Sequence, residues 1–215
     1  KKMENISENI AAYLLDIEAV KLRPREPFQW ASGWLSPIYC DNRLTLSFPN
    51  IRTYIKKAFI DFIQSNYPEV EVIAGVATAG IPQGALLADA LDLPFVYVRS
   101  EAKKHGLSNQ IEGKITSGQK IILIEDLVST GGSSLKAVEA LREAGGEVLA
   151  LLSIMTYHFE QAKKTFEVAN LPFHSLTNYD QILIEAMRRN LVSEKVMASL
   201  QEWRKSPETW KGRDL

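Results

Sequence analysis

The spacing of apolar residues changes character along the chain. Ile6, Ile10, Tyr13, Leu14 and Ile17 recur at helical intervals, which predicts a helix over the opening segment. Pro24, Pro27, Gly33 and Pro37 then break the pattern, leaving short extended pieces at 28–31 and 38–40. A second helix is expected from about 49 to 67. From there, short apolar runs alternate with helical patterns. Strands are expected at 70–76, 95–98, 120–124, 147–155 and 173–176, with helices at 81–91, 131–144 and 158–169. Gly145-Gly146 marks the end of the 131–144 helix. Residues 99–118 are polar and carry no apolar period. Two helices, 179–189 and 193–205, complete the pattern.

Alternating strands and helices of this length predict an α/β fold, with a mainly parallel sheet flanked by helices. In such sheets ligands sit beyond the carboxyl ends of the strands, so chemistry is sought just after Val76, Val98, Ile124 and Met155. The N-terminal part lacks the rhythm and is expected to form a small cap. The expectation is one domain over 1–215, with a core at about 68–178 and a cap made of about 1–45 and the C-terminal helices. Trp203 and Trp210 carry no legible chemistry, and apolar residues exposed there would suit a partner subunit.

Composition narrows the classes. With 46% hydrophobic residues, the 215-residue chain can bury a substantial core. The net charge of -1 gives no global attraction to nucleic acid or an anionic membrane, so anion binding must come from local clusters. No helix-turn-helix or basic patch is evident, and no apolar run is long enough to span a membrane. Cys40 is the only cysteine, which excludes an intrachain disulfide and points to a reducing, cytoplasmic setting.

The most informative stretch is Ile121-Ile122-Leu123-Ile124-Glu125-Asp126-Leu127-Val128-Ser129-Thr130-Gly131-Gly132-Ser133. An apolar strand runs into two carboxylates, then into a small-residue turn that opens a helix. Adjacent strand residues point to opposite sides, so Glu125 and Asp126 can address different parts of one ligand. Small residues let backbone N–H groups approach a phosphate, and the helix N-terminus adds favourable partial charge. Carboxylates beside a phosphate need ribose hydroxyls or a hydrated Mg2+ between them. The plain alternative is a strand-to-helix turn with two solvated acids. A Walker A loop is excluded, because no lysine follows the glycines.

This string resembles the phosphoribosyl pyrophosphate (PRPP) motif of type I phosphoribosyltransferases. The resemblance implies that Glu125 and Asp126 hold the ribose hydroxyls, with Mg2+ near them but carried mainly by PRPP. It also implies that Leu127, Val128, Ser129, Thr130, Gly131, Gly132 and Ser133 surround the 5-phosphate.

Arg99-Ser100-Glu101-Ala102-Lys103-Lys104-His105-Gly106 gathers cations in a long polar loop. Such a loop is either a solvated charged segment or a lid that closes over developing negative charge and excludes water. Its pattern R-x-E-A-K-x-H-G resembles the catalytic loop of orotate phosphoribosyltransferases. On that resemblance Arg99, Lys103 and His105 are catalytic and contact pyrophosphate, and the adjacent Lys104 can stand in for the cation absent at Ser100. Lys103 and His105 would reach the site of a neighbouring subunit in a homodimer. Ser100, Ala79 and Ala31 stand where many members carry a basic residue.

Two further segments extend the likeness. Gly75-Val76-Ala77-Thr78-Ala79-Gly80 suits an anion nest or a tight turn. The family places pyrophosphate there, at Thr78 and Ala79, often through a cis peptide that would fall at Ala77–Thr78. The stretch from Phe28 to Arg43 can stack and hydrogen-bond a flat heterocycle, although Phe28 and Trp30 equally suit a packed aromatic hairpin. It resembles the family's F-x-x-x-S-G-x-x-S-P-x-Y hood, which implies orotate contacts from Ser32 and Tyr39, while Ser129 matches a family Thr or Ser that touches orotate. Arg43 offers a fork for a carboxylate. The implied reaction joins orotate to the ribose phosphate of PRPP, giving orotidine 5-phosphate and pyrophosphate for pyrimidine nucleotide synthesis. Transfer to a purine base and non-catalytic PRPP sensing are the competing readings.

Overall fold

A computed structural model describes residues 2–101 and 110–212. Helix α1 (Lys2–Asp16) leads into strands β1 (Val20–Leu22), β2 (Phe28–Gln29), β3 (Leu35–Ser36) and β4 (Ile38–Cys40). A 3-10 helix (Asn42–Ser47) and α2 (Pro49–Asn66) follow. The alternating part comprises β5 (Val72–Val76), α3 (Gly80–Leu91), β6 (Phe95–Val98), β7 (Ile111–Glu112), β8 (Lys120–Val128), α4 (Gly132–Glu143), β9 (Glu147–Thr156), α5 (Glu160–Val168) and β10 (Phe173–Asn178). Helices α6 (Tyr179–Arg188) and α7 (Glu194–Lys205) come last.

The expected α/β class is what the chain adopts. Six strands form one sheet in the order β10-β9-β8-β5-β6-β7, parallel except for β7, which runs against β6. Each strand's alternating side chains feed two cores. Ile73, Ile122, Ile124, Leu152 and Ile154 pack with Leu87 of α3 and with Leu14 and Phe59 of α1 and α2. Their neighbours Ala74, Ile121, Leu123 and Leu151 pack with Val138 and Leu141 of α4 and Phe166 of α5. Burial on both faces explains why these strands are apolar throughout rather than alternating.

Three expectations change. The strand expected to stop at Ile124 continues to Val128, because β9 stays beside it and pairs Glu125 with Ser153 and Val128 with Thr156. Polar side chains do not end a strand whose backbone groups remain paired. The polar stretch after Val98 contains β7, held against Tyr97 and Val98. Trp203 and Trp210 are buried rather than offered to a partner. Trp203 packs edge-on against Trp30, Tyr157 and Phe159 and donates its Nε1–H to Leu35 O at 3.1 Å. This cluster ties α7 to the N-terminal hairpins and to the residues that follow β9. The exposed apolar side chains of α6 and the segment beyond it are Ile184 and Leu191.

Candidate active site

Strand order reverses between β5 and β8. One connection leaves β5 towards β6, while the chain after β8 builds outwards through β9 and β10. In sheets of this kind the switch point between two such strands, beyond their carboxyl ends, is where ligands bind. Both candidate phosphate turns flank it.

On the β5 side, Ala77–Thr78 is a cis peptide, at the position implied by the family resemblance. Ala77 N donates to Val98 O at 2.9 Å, and Ile81 N to Thr78 O at 3.2 Å. The turn is closely packed. A Cβ on Gly75 would lie 2.7 Å from Gly80 O, and one on Gly80 would collide with Ile124 O. These approaches set the start of α3 directly against β8. Ala79 at its N-cap offers no side-chain acceptor, and Thr78 is exposed.

On the β8 side, Glu125 is buried, at 6% exposure, and its Oε1 accepts from Asp126 N at 3.0 Å. Burial, and then the neighbouring Asp126 charge, push its carboxyl well above the usual range. Asp126 is also raised, by burial. Hydrogen bonds from Glu125 and from backbone N–H groups, together with the Arg43 charge, oppose that rise. Such a pair favours ligands that donate hydrogen bonds or carry positive charge. Gly131 then takes φ +87°, a left-handed conformation, and caps α4 without a side-chain hydrogen bond. The first N–H groups of α4 thus keep no side-chain partner at the cap, and Gly132 and Ser133 are exposed. Ser129 and Thr130 are half-buried along the same turn.

The N-terminal segment reaches this site through the 3-10 helix. Asn42 Nδ2 donates to Asp126 O at 2.9 Å. Arg43 is exposed and pairs with Asp41 at 2.8 Å. Tyr39 is 44% exposed, with its ring 5.6 Å from that of Phe28. The structure thus brings Asp126, Arg43 and Tyr39 into one neighbourhood. Ser32 stands apart at the exposed tip of the β2–β3 hairpin, where its hydroxyl accepts from Trp34 N at 3.4 Å. Trp30 packs on Tyr157 and Phe159, as an aromatic hairpin would.

Arg99 follows β6. Its N–H donates to Gln110 O at 2.8 Å, and its guanidinium lies 3.7 Å from Glu112. Lys103, Lys104 and His105 lie outside the described residues. Sequence reading missed Asn42, since its partner is a backbone carbonyl far along the chain. Beyond β9, where ligand chemistry is also expected, His158 lies 3.9 Å from Asp180, which in turn meets Arg204 at 3.2 Å. Burial lowers the His158 pKa.

The fold is that of a type I phosphoribosyltransferase, and the phosphoribosyl transferase domain family matches residues 46–180. Orotate phosphoribosyltransferase from Cytophaga hutchinsonii is 57% identical over 96% of this chain and 99% of its own. The crystal structure of orotate phosphoribosyltransferase from Aeropyrum pernix superposes with a TM-score of 0.74 at 27% identity, covering 86% of this chain and 99% of that one. Leishmania donovani UMP synthase gives a TM-score of 0.74 at 26% identity, over 92% of this chain but 42% of that longer one. This chain belongs to the orotate phosphoribosyltransferase family.

Proposed function

We propose that this chain transfers the 5-phosphoribosyl group of PRPP to orotate, and that the switch point between β5 and β8 is where it does so. The observation that carries the placement is the buried Glu125–Asp126 pair running into an α4 N-terminus with no side-chain cap. The carboxylates accept from the ribose 2- and 3-hydroxyls. Residues Leu127 to Ser133 wrap the 5-phosphate, with α4 N–H groups and the Ser129, Thr130 and Ser133 hydroxyls as donors. Thr78 and Ala79 face the pyrophosphate from the other wall. Tyr39 and Ser129 contact orotate, and Arg43 offers its carboxylate a cation. Ser32 would join them only from the hairpin tip.

An orotate ring nitrogen attacks the ribose anomeric carbon with inversion as the bond to the pyrophosphate oxygen breaks, and its N–H proton passes to the departing pyrophosphate. Arg99, Lys103, Lys104 and His105 take up the charge that grows on the leaving group and keep water out. Lys103 and His105 act across a homodimer, in the site of the neighbouring copy. Among the described residues no group of three or more His, Cys, Asp or Glu could cage a metal. The acid pair alone fits a cation that brings most of its oxygen ligands with it. Bound Mg2+, the proposed cofactor, supplies charge neutralisation of the pyrophosphate.

Among the described residues no helix is long and apolar enough to cross a membrane. The test of function is incubation with PRPP and Mg2+ plus orotate, adenine or hypoxanthine in turn. Orotate alone should be consumed, with release of pyrophosphate. Consumption of a purine, or PRPP binding without turnover, would replace this reading. For the shared site, an equimolar mixture of inactive Lys103→Ala and Asp126→Asn proteins should regain activity as subunits exchange.

A further inference from the structure

Asn42 opens the 3-10 helix and is 1% exposed, so every polar atom it carries needs a partner inside the protein. Nδ2 donates to Asp126 O at 2.9 Å, while Oδ1 accepts from the Cys40 thiol at 3.1 Å. Its own carbonyl takes the Thr45 hydroxyl at 2.6 Å. The orientation of the amide is dictated. Asp126 O can only accept, so the NH2 group must face it, and the carbonyl is left for a donor. Cys40 can fill that role because it keeps its proton. Burial, and then the charges of Asp126 and Asp41, push the thiol's pKa up.

This relay lies where the two halves of the proposed site meet. Residues 39 and 43, on either side, are the ones assigned to the base. Asp126, whose carbonyl is held, is assigned to the ribose. We infer that Asn42 is a positioning residue that fixes the base-binding segment to the ribose-binding strand end, so that a ligand spanning both halves meets them at one spacing. The inference rests on the proposed transfer to orotate. Asn42 touches no reacting atom in this scheme. It acts on Tyr39 and Arg43 by holding their segment at a fixed spacing from Asp126, which the β8–β9 ladder keeps in place on its own. Small misplacements of such groups are costly to a reaction that depends on alignment.

Two ligands separate positioning from general support of the fold. Ribose 5-phosphate engages only the acids and the phosphate turn, whereas orotidine 5-phosphate spans ribose and base. Asn42→Leu keeps the side-chain volume and removes both hydrogen bonds. Calorimetric titration should show orotidine 5-phosphate binding weakened by about tenfold or more, with ribose 5-phosphate changed by less than about twofold. Equal weakening of the two ligands, or none, would overturn the inference. If Asn42→Leu does not fold, Cys40→Ala removes only the thiol donor. It should weaken the spanning ligand alone, by about threefold, and equal effects there also overturn the proposal. Orotate turnover by the unaltered protein is measured alongside. Its absence would count against the proposed reaction, whereas its presence with unaltered binding in both variants would count against Asn42 alone.

Discussion

Glu125 shows how much chemistry one buried carboxyl can hold. Burial, and then the charge of the neighbouring Asp126, push its pKa well above its value in the unfolded chain. The native protein therefore keeps a proton that the unfolded chain has released at neutral pH. The stability tied to that proton is complete below the ordinary carboxylate pKa and is lost as pH rises towards the folded value. Glu125→Gln, which mimics the protonated form, should flatten this loss. Melting temperatures of the ligand-free proteins between pH 5 and 9 check it, and parallel curves would refute it. Ligand hydroxyls and Mg2+ favour the charged carboxylate, so binding of PRPP with Mg2+ near pH 7 should release a proton. Calorimetry in buffers of different ionisation enthalpy reads that directly. Gly131 is the other residue whose change has a calculable cost. At φ +87°, with the Phe166 ring 2.8 Å from where a Cβ would sit, Gly131→Ala should destabilise by about 1–2 kcal/mol. It should also raise KM for PRPP more than it lowers kcat.

Strands were legible where apolar residues run together between turns. Strand β6 occupies 95–98, as the run Phe-Val-Tyr-Val implies. Strand β8 was read short because Glu125 and Asp126 look like an ending, when the backbone ladder to β9 carries the strand four residues further. The 3-10 helix has no apolar period to betray it, and β7 is only two residues long. The site showed the same division. A run of acids, hydroxyls and glycines is written in consecutive residues, whereas the Asn42–Asp126 tie joins residues 84 positions apart and has no local signature. Another tie of this distant kind joins α6 to α1. Arg188 and Arg189 hold Glu185 down to about 2, and Arg189 also meets Asp16 at 2.6 Å. The lowered carboxylate lends stability above its unfolded pKa and withdraws it as pH falls towards 2. Arg189→Ala should cost about 1–2 kcal/mol at neutral pH and leave orotate turnover unchanged. A denaturant titration checks the first part, and an unchanged midpoint would dismiss the network as a support.

At the scale of the molecule, the sheet's reversal between β5 and β8 brings two helix N-termini to one switch point beyond the strand ends. The aromatic cluster around Trp203 anchors the N-terminal hairpins to the chain beyond β9, so the segment bearing Tyr39 and Arg43 is carried on a packed support. Trp203→Ala should open a cavity costing about 3–5 kcal/mol, visible as a lowered melting temperature. The account as a whole depends on the acid pair and the turn after it gripping a ribose phosphate. The most direct test is calorimetric titration of PRPP with Mg2+ into the parent and into the Glu125→Gln/Asp126→Asn double variant, with folding checked by circular dichroism. The account predicts that the folded double variant binds at least about a hundredfold more weakly, as loss of several charge-assisted hydrogen bonds requires. Undiminished affinity in that variant would contradict it.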